Sequence, residues 1–177
     1  MANGESARYR QHPGIPGVDL LRARFVRHAF PPHVHEGYVI ATITSGVEEF
    51  QHRGSVERVG PGGLALLNPE VPHTGHAGVP EGWTYEVLYP DVNVVSGIAE
   101  EVAGIRGTPA FGAVVVRDEA AARLVSAVHR AVEQDDALAA DSLLRLVVGR
   151  LVGTYGTRVP GRTPGTAGLY GDRKSVV

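Results

Sequence analysis

The sequence predicts a mostly β fold, a barrel or jelly roll followed by two C-terminal α-helices. Three observations predict it. Between residues 20 and 116, short apolar runs recur at roughly 8–12-residue spacing between Gly and Pro breaks, the pattern of a sandwich, jelly roll or barrel. After Gly112 the apolar period becomes helical. Finally, His33-Val34-His35 and His73 lie on separate extended segments, and they meet only if the sheet folds back on itself.

Residues 1–19 hold Gly4, Pro13, Gly14, Pro16 and Gly17 and read as an irregular lead-in. Leu20 to Phe30 has room for one or two strands, and Pro31-Pro32 stops the chain in extended geometry. The β-branched run Tyr38-Val39-Ile40-Ala41-Thr42-Ile43-Thr44 reads as a strand closed by Gly46. Val47 to Arg53 and Val56 to Val59 follow, with a turn at Gly54. Leu64-Ala65-Leu66-Leu67 is apolar throughout and reads as a buried strand, broken at Asn68-Pro69. Trp83 to Tyr89 is another strand, closed by Pro90, and Val114-Val115-Val116 a last short one. Residues 20–116 therefore form the barrel.

Residues 117–155 form a helical pair. Asp118 suits an N-cap, and Glu119 suits the first turn of a helix dipole. Leu124, Val125, Val128, Ala131 and Val132 then recur at helical spacing, Asp135-Asp136 interrupts, and a second helix runs from about Ala137 to Tyr155. Its stripe of Leu144, Val147, Val148 and Leu151 is expected to form a homodimer interface, because a continuous apolar face is costly to leave in water. Residues 156–177, rich in Gly, Pro, Thr and Arg, read as a flexible tail.

Composition excludes several classes. Hydrophobic residues are 43% of the 177, enough for a core, and net charge is −2, which favours neither nucleic acid nor anionic membrane. Arginine supplies nearly all the positive charge, Lys174 being the only lysine; with abundant Ala, Gly and Val, this is the compositional mark of a GC-rich bacterial genome. The chain has no cysteine, which removes disulfides and thiolate metal sites. Residues 1–11 lack the apolar stretch of a signal peptide, and no run approaches the ~18 apolar residues of a membrane span, so the expected location is cytoplasmic, without membrane contact. The sequence holds no GxSxG, P-loop or dinucleotide fingerprint.

The candidate site is a pocket inside the barrel. His33 and His35 share a face by alternation, and His73 can join them. Phe50, Trp83 and Tyr85 are expected to line an apolar cavity beside them, with Trp83 and Tyr85 on one face; Tyr38 is a fourth aromatic candidate. The expected ligand is a small polar or anionic molecule. No catalytic residue and no resident cofactor are expected, although His33, His35 and His73 could hold a divalent transition metal.

The run Pro32-His33-Val34-His35-Glu36-Gly37-Tyr38-Val39-Ile40, the turn Ser45-Gly46 and the stretch from Gly60-Pro61-Gly62-Gly63 through Asn68-Pro69-Glu70-Val71-Pro72-His73-Thr74-Gly75-His76 form a pattern. With Gly82-Trp83-Thr84-Tyr85-Glu86-Val87-Leu88-Tyr89-Pro90, it resembles the cupin-type sensor domain at the N-terminus of AraC-family transcription regulators. The resemblance covers about Phe25 to Tyr155. It implies a cupin-like barrel that binds an effector, and it places the helical pair where those regulators dimerise. Three departures are visible. His73 lies one residue closer to Pro69 than in the usual cupin spacing. Metal-binding cupins usually add a glutamate four residues after the second histidine, where this chain has Val39. Those regulators also continue into two helix-turn-helix motifs, and no such pattern follows Tyr155; DNA is expected as a partner only through a C-terminal domain absent from this chain. The resemblance implies a regulator rather than an enzyme, with a metal-dependent cupin dioxygenase or isomerase as the alternative and a ligand-free dimerisation module as the third.

Overall fold

The computed structural model describes residues 4–158. In chain order the elements are β1 (Ser6–Gln11), β2 (Val18–Phe25), β3 (Phe30–His33), β4 (Val39–Gly46), β5 (Glu48–His52), β6 (Ser55–Val59), β7 (Gly63–Leu67), β8 (His73–Ala77), β9 (Trp83–Pro90), α1 (Val92–Ala103), β10 (Pro109–Phe111), β11 (Val115–Arg117), α2 (Glu119–Glu133), α3 (Ala137–Tyr155) and β12 (Gly156–Arg158). A six-stranded sheet in the order β1-β2-β9-β4-β7-β11 faces a four-stranded sheet in the order β3-β8-β5-β6. Every pairing is antiparallel, and β10 pairs separately with β12. The fold is mostly β, with a cupin-like barrel ahead of the last two helices, as the sequence predicts.

Alternation in the large sheet divides the core in two. Odd positions of β2, β4, β7 and β9, such as Phe25, Ile43, Leu67, Trp83 and Val87, point into the barrel and pack with Phe50. Even positions, such as Leu20, Ile40, Leu66 and Leu88, point outward and pack on the helices through Val125, Val128, Val147 and Leu151. Both faces of this sheet are buried, so its central strands read as continuous apolar runs. The strand ends approach too closely for side chains at Gly46 and Gly82. A Cβ on Gly46 (φ 71°) would lie 1.9 Å from the Gly82 carbonyl, and one on Gly82 (φ 82°) 2.1 Å from that of Phe25.

The structure departs from the sequence reading at four places. The lead-in 1–19 is not irregular throughout: β1 pairs in full with β2, Ser6 opposite Arg24 and Gln11 opposite Asp19. Pro31 and Pro32 do not end a strand but lie inside β3, an edge strand of irregular register that tolerates missing donors. Helix α1 occupies a stretch to which the sequence reading assigned no element; Val95, Ile98 and Ala99 at helical spacing bury it, and Gly104 (φ 62°) closes it. Finally, Gly156–Arg158, assigned to the flexible tail, pair with Pro109–Phe111, while residues 159–177 lie outside the described residues.

The expected dimer stripe is corrected as well. Leu144 is 3% exposed, and Val147, Val148 and Leu151 are fully buried, all within one chain. Helix α3 lies between α1 and α2 and packs on both, so its apolar face is used internally. The sequence could not separate the two outcomes, since burial against a neighbouring helix and against a second copy demand the same stripe. Asp118 caps α2 as expected, accepting from the Ala121 N–H at 3.0 Å, and also binds Arg150 of α3 at 2.8 Å. Asp136 caps α3 through the Ala139 N–H at 2.9 Å.

Candidate functional site

Three imidazoles converge at one end of the barrel. His33 ends β3, His73 opens β8, and the two are register partners. His35 lies in the loop beyond β3, held by the hydrogen bond from the Glu70 N–H to its carbonyl at 2.8 Å. Ring centroids are 4.3 Å apart for His33–His73, 5.0 Å for His33–His35 and 5.2 Å for His35–His73. One ligand atom from each histidine falls within 4.8 Å of the others. The trio expected from the sequence is assembled, although His35 reaches it from a loop rather than from strand alternation.

Local hydrogen bonds orient two of the rings. His33 Nδ1 lies 2.8 Å from the Pro31 carbonyl and His73 Nδ1 3.0 Å from that of Val71. A carbonyl only accepts, so each Nδ1 carries the proton and each Nε2 keeps a lone pair. Burial, reinforced by the charges His73 and His33 would carry, pushes His35 down to about 4. Burial likewise pushes His73 down to about 4; the Val71 carbonyl opposes this, and His33 and His52 add to it. Both imidazoles are therefore neutral near pH 7, the state that ligates metal or accepts a hydrogen bond.

The donor set fits a divalent transition ion. His33, His35 and His73 would hold it with carbonyls fixing two of the rings, and a metal there would supply a Lewis acid with open positions. A fourth protein ligand is missing among the described residues. Val39, at the position where the resemblance to metal-binding cupins implies a glutamate, is buried in the barrel wall, and Glu36 is exposed in the loop.

The barrel interior is aromatic. From the trio, His33 neighbours Phe30 at 5.8 Å, Phe30 meets Phe25 edge-on at 5.3 Å, and Phe25 lies 5.3 Å from Trp83 and 6.2 Å from Tyr85. On the other side His35 lies 5.1 Å from Tyr89. Phe50, Trp83 and Tyr85 are all buried in this inner cluster, where the sequence reading put them. Tyr38 is not: it faces the helices, 5.7 Å from Phe111, and donates its hydroxyl to the Pro109 carbonyl. His76 points away from the barrel, 3.1 Å from Glu49.

Sequence reasoning missed Glu48, Tyr89, Phe25 and Phe30. Glu48 is 9% exposed, and burial raises its carboxyl to about 8. Burial and the nearby Glu48 also raise Tyr89, while burial, Tyr89 and Glu48 raise Tyr85. Period-two alternation was the available signal: Glu48 shares a face with Phe50, and Tyr89 with Trp83 and Tyr85. Glu86, one residue out of phase, lies on the opposite face of β9. There it binds Arg22 at 2.6 Å and accepts from Ser126 of α2.

An antiparallel barrel with a buried, aromatic and imidazole-lined interior and helices on its outer wall defines a barrel of the cupin type. The family model described as "AraC-like ligand binding domain" matches residues 15–148, and the chain belongs to that family. Solved structures give distant likenesses. A cupin 2 conserved barrel domain protein from Leptotrichia buccalis is 16% identical, covering 51% of this chain and 43% of its own, with a TM-score of 0.45. An RmlC-like cupin from Methanocaldococcus jannaschii is 13% identical over 51% of this chain and 83% of its own, at 0.46. Oxalate decarboxylase from Bacillus subtilis is 21% identical over 51% of this chain and 26% of its own, at 0.43. This chain thus spans less than half the length of the Leptotrichia protein. No curated protein matches it. Among the described residues, no helix is long and apolar enough to cross a membrane.

Proposed function

We propose that the chain is the effector-sensing domain of an AraC-type transcription regulator. A small molecule enters the barrel past the histidine trio and shifts the domain between two states of different ligand affinity. The observation that supports this most strongly is the two-faced strand β9. Its inner face carries Trp83, Tyr85 and Tyr89. Its outer face is fastened to α2, through Glu86 to Ser126 and through the Val87 carbonyl to His129 Nε2 at 3.1 Å. A ligand that displaces the inner side chains therefore acts directly on a strand that grips a helix.

In this reading the protein is not an enzyme, acts in the cytoplasm as a homodimer, and meets DNA through a helix-turn-helix domain outside the residues given. With the Leu144 stripe internal, Leu138 and Leu146 are the large apolar side chains that α3 still exposes, and they would meet a second copy. The test is a small-molecule screen reading the emission of Trp83, the chain's only tryptophan, followed by hydrogen exchange. A hit should bind once per chain and change amide protection in β9 and α2. Hits that leave α2 protection unchanged, or a broad screen without any saturable hit, would refute the reading.

A metal-dependent cupin enzyme is the second reading, favoured by the convergent Nε2 lone pairs of His33 and His73. One equivalent of metal per chain, together with turnover lost in His73→Ala, would decide for it.

A further inference from the structure

The barrel encloses two polar groups that the protein leaves unsatisfied. Among the described residues, nothing donates to or pairs with the Glu48 carboxyl, and burial alone accounts for its raised affinity for a proton. The Trp83 indole N–H is fully buried and has no acceptor among the described residues. Unmet buried groups of this kind are uncommon and costly, and two in one compartment point to an absent partner. They share one end of the barrel: Trp83 pairs with Gly46, and Glu48 follows Gly46 by two residues. Gly75 makes room for the carboxyl, since a Cβ there would lie 3.3 Å from both Glu48 Oε1 and the Phe30 ring.

The charge of the compartment selects the partner. Register places Asp19, Glu48 and Glu57 at inward positions of β2, β5 and β6. Among the described strands the one cation in phase with the inner face is Arg117 of β11, opposite Gly63, and its side chain is exposed and paired with Glu119. Arg22, on the other face of β2, is spent on Glu86 and Glu133 outside the barrel. The walls are aromatic faces, which carry negative quadrupole potential. An anion would find no counter-charge here, whereas a cation finds a carboxylate and several rings. Gly75 is two residues from His73 along β8, which sets the carboxyl about 7 Å from the trio; a ligand that spans both would be about one six-membered ring with a short arm.

We infer that the effector is a compact cation, a protonated amine on a single aromatic or apolar ring, with its ammonium on Glu48 and its ring among Phe30, Phe50 and Tyr85. An acceptor atom beside the amine would take the Trp83 N–H. This rests on the reading of the barrel as an effector pocket and narrows it, replacing the polar or anionic ligand expected from the histidines alone.

The test uses the intact chain at pH 7 with three probes of one shape: benzylamine, benzyl alcohol and benzoate, followed by calorimetry and Trp83 emission. Benzylamine should bind once per chain, and the alcohol and the acid about tenfold or more weakly, as expected when a charge-assisted contact is lost. Glu48→Gln should weaken benzylamine to the level of the alcohol. Independently of any variant, benzylamine binding measured in two buffers of different ionisation heat should release about one proton, as Glu48 ionises to meet the ammonium. Equal or tighter binding of the alcohol or benzoate overturns the inference while leaving the sensor reading in place, as does a Glu48→Gln protein that binds benzylamine undiminished. Failure of all three probes to bind also overturns it, and the sensor reading then stands or falls on its own screen.

Discussion

Replacing Glu48 by Gln should stabilise the protein, and by an amount that grows with pH. Glu48 is 9% exposed, and its carboxyl titrates at about 8 in the fold against 4.5 when unburied. The folded state therefore keeps a proton that the unfolded chain releases. Stability is intact below pH 4.5 and falls as pH rises towards 8. At 1.36 kcal/mol per unit, the linkage cost is about 1 kcal/mol at pH 5 and about 4 kcal/mol at pH 8. Gln keeps the shape and has no charge to desolvate, so it removes the pH-dependent part. Any fixed cost of burying the amide is common to both pH values and cancels in their difference. His35 and His73 titrate in both proteins and cancel too. The stabilisation should therefore be about 3 kcal/mol larger at pH 8 than at pH 5, equivalent to about 6–12 °C in midpoint for a chain of this size. Denaturant and thermal melts followed by Trp83 emission measure it. A pH-independent effect, or one larger at pH 5, would refute the placement of an unpartnered carboxyl inside the barrel.

In the unmodified protein the two histidines work in the opposite sense. Both sit near 4 in the fold against 6.5 unfolded, so stability rises with pH from 4 to 6.5. Together with Glu48 this puts the stability maximum near pH 6.5, and a melt series that climbs steadily to pH 9 would contradict it. Elemental analysis should find less than one equivalent of transition metal in the purified chain, because the fourth-ligand position holds the buried Val39; a full equivalent lost in His33→Ala would show otherwise. Leu151→Glu should unfold the domain rather than dissociate it, costing about 3–5 kcal/mol for a charge at a fully buried site, whereas Leu146→Glu, at 58% exposure, should leave the melt unchanged and give a monomer by light scattering. Asp118→Ala removes the α2 cap and the Arg150 contact together and should cost about 2 kcal/mol, read by chemical denaturation.

Alternation and turn residues in the sequence determined the strands from Val39 to Pro90, the helices after Asp118 and the histidine trio, because each rests on local periodicity or on a short motif. Asp118 capped its helix as expected, since capping needs only a carboxylate and the N–H three residues on. Trp83 and Tyr85 face inward together for the equally local reason that strand side chains alternate. Other features were decided only by tertiary structure. Whether Leu144, Val147, Val148 and Leu151 cover a neighbouring helix or a second copy depends on where α1 goes, and the sequence reading assigned no element to residues 92–103. Tyr38 and Phe50 both look like pocket aromatics in sequence, yet the sheet sends Tyr38 to the helices and the facing sheet brings Phe50 inside. Alternation puts Glu48 on the face of Phe50, but that this face is enclosed follows only once the four-stranded sheet lies across the six-stranded one. The chemistry of Glu48 comes from desolvation, and desolvation belongs to the assembled barrel rather than to any stretch of chain.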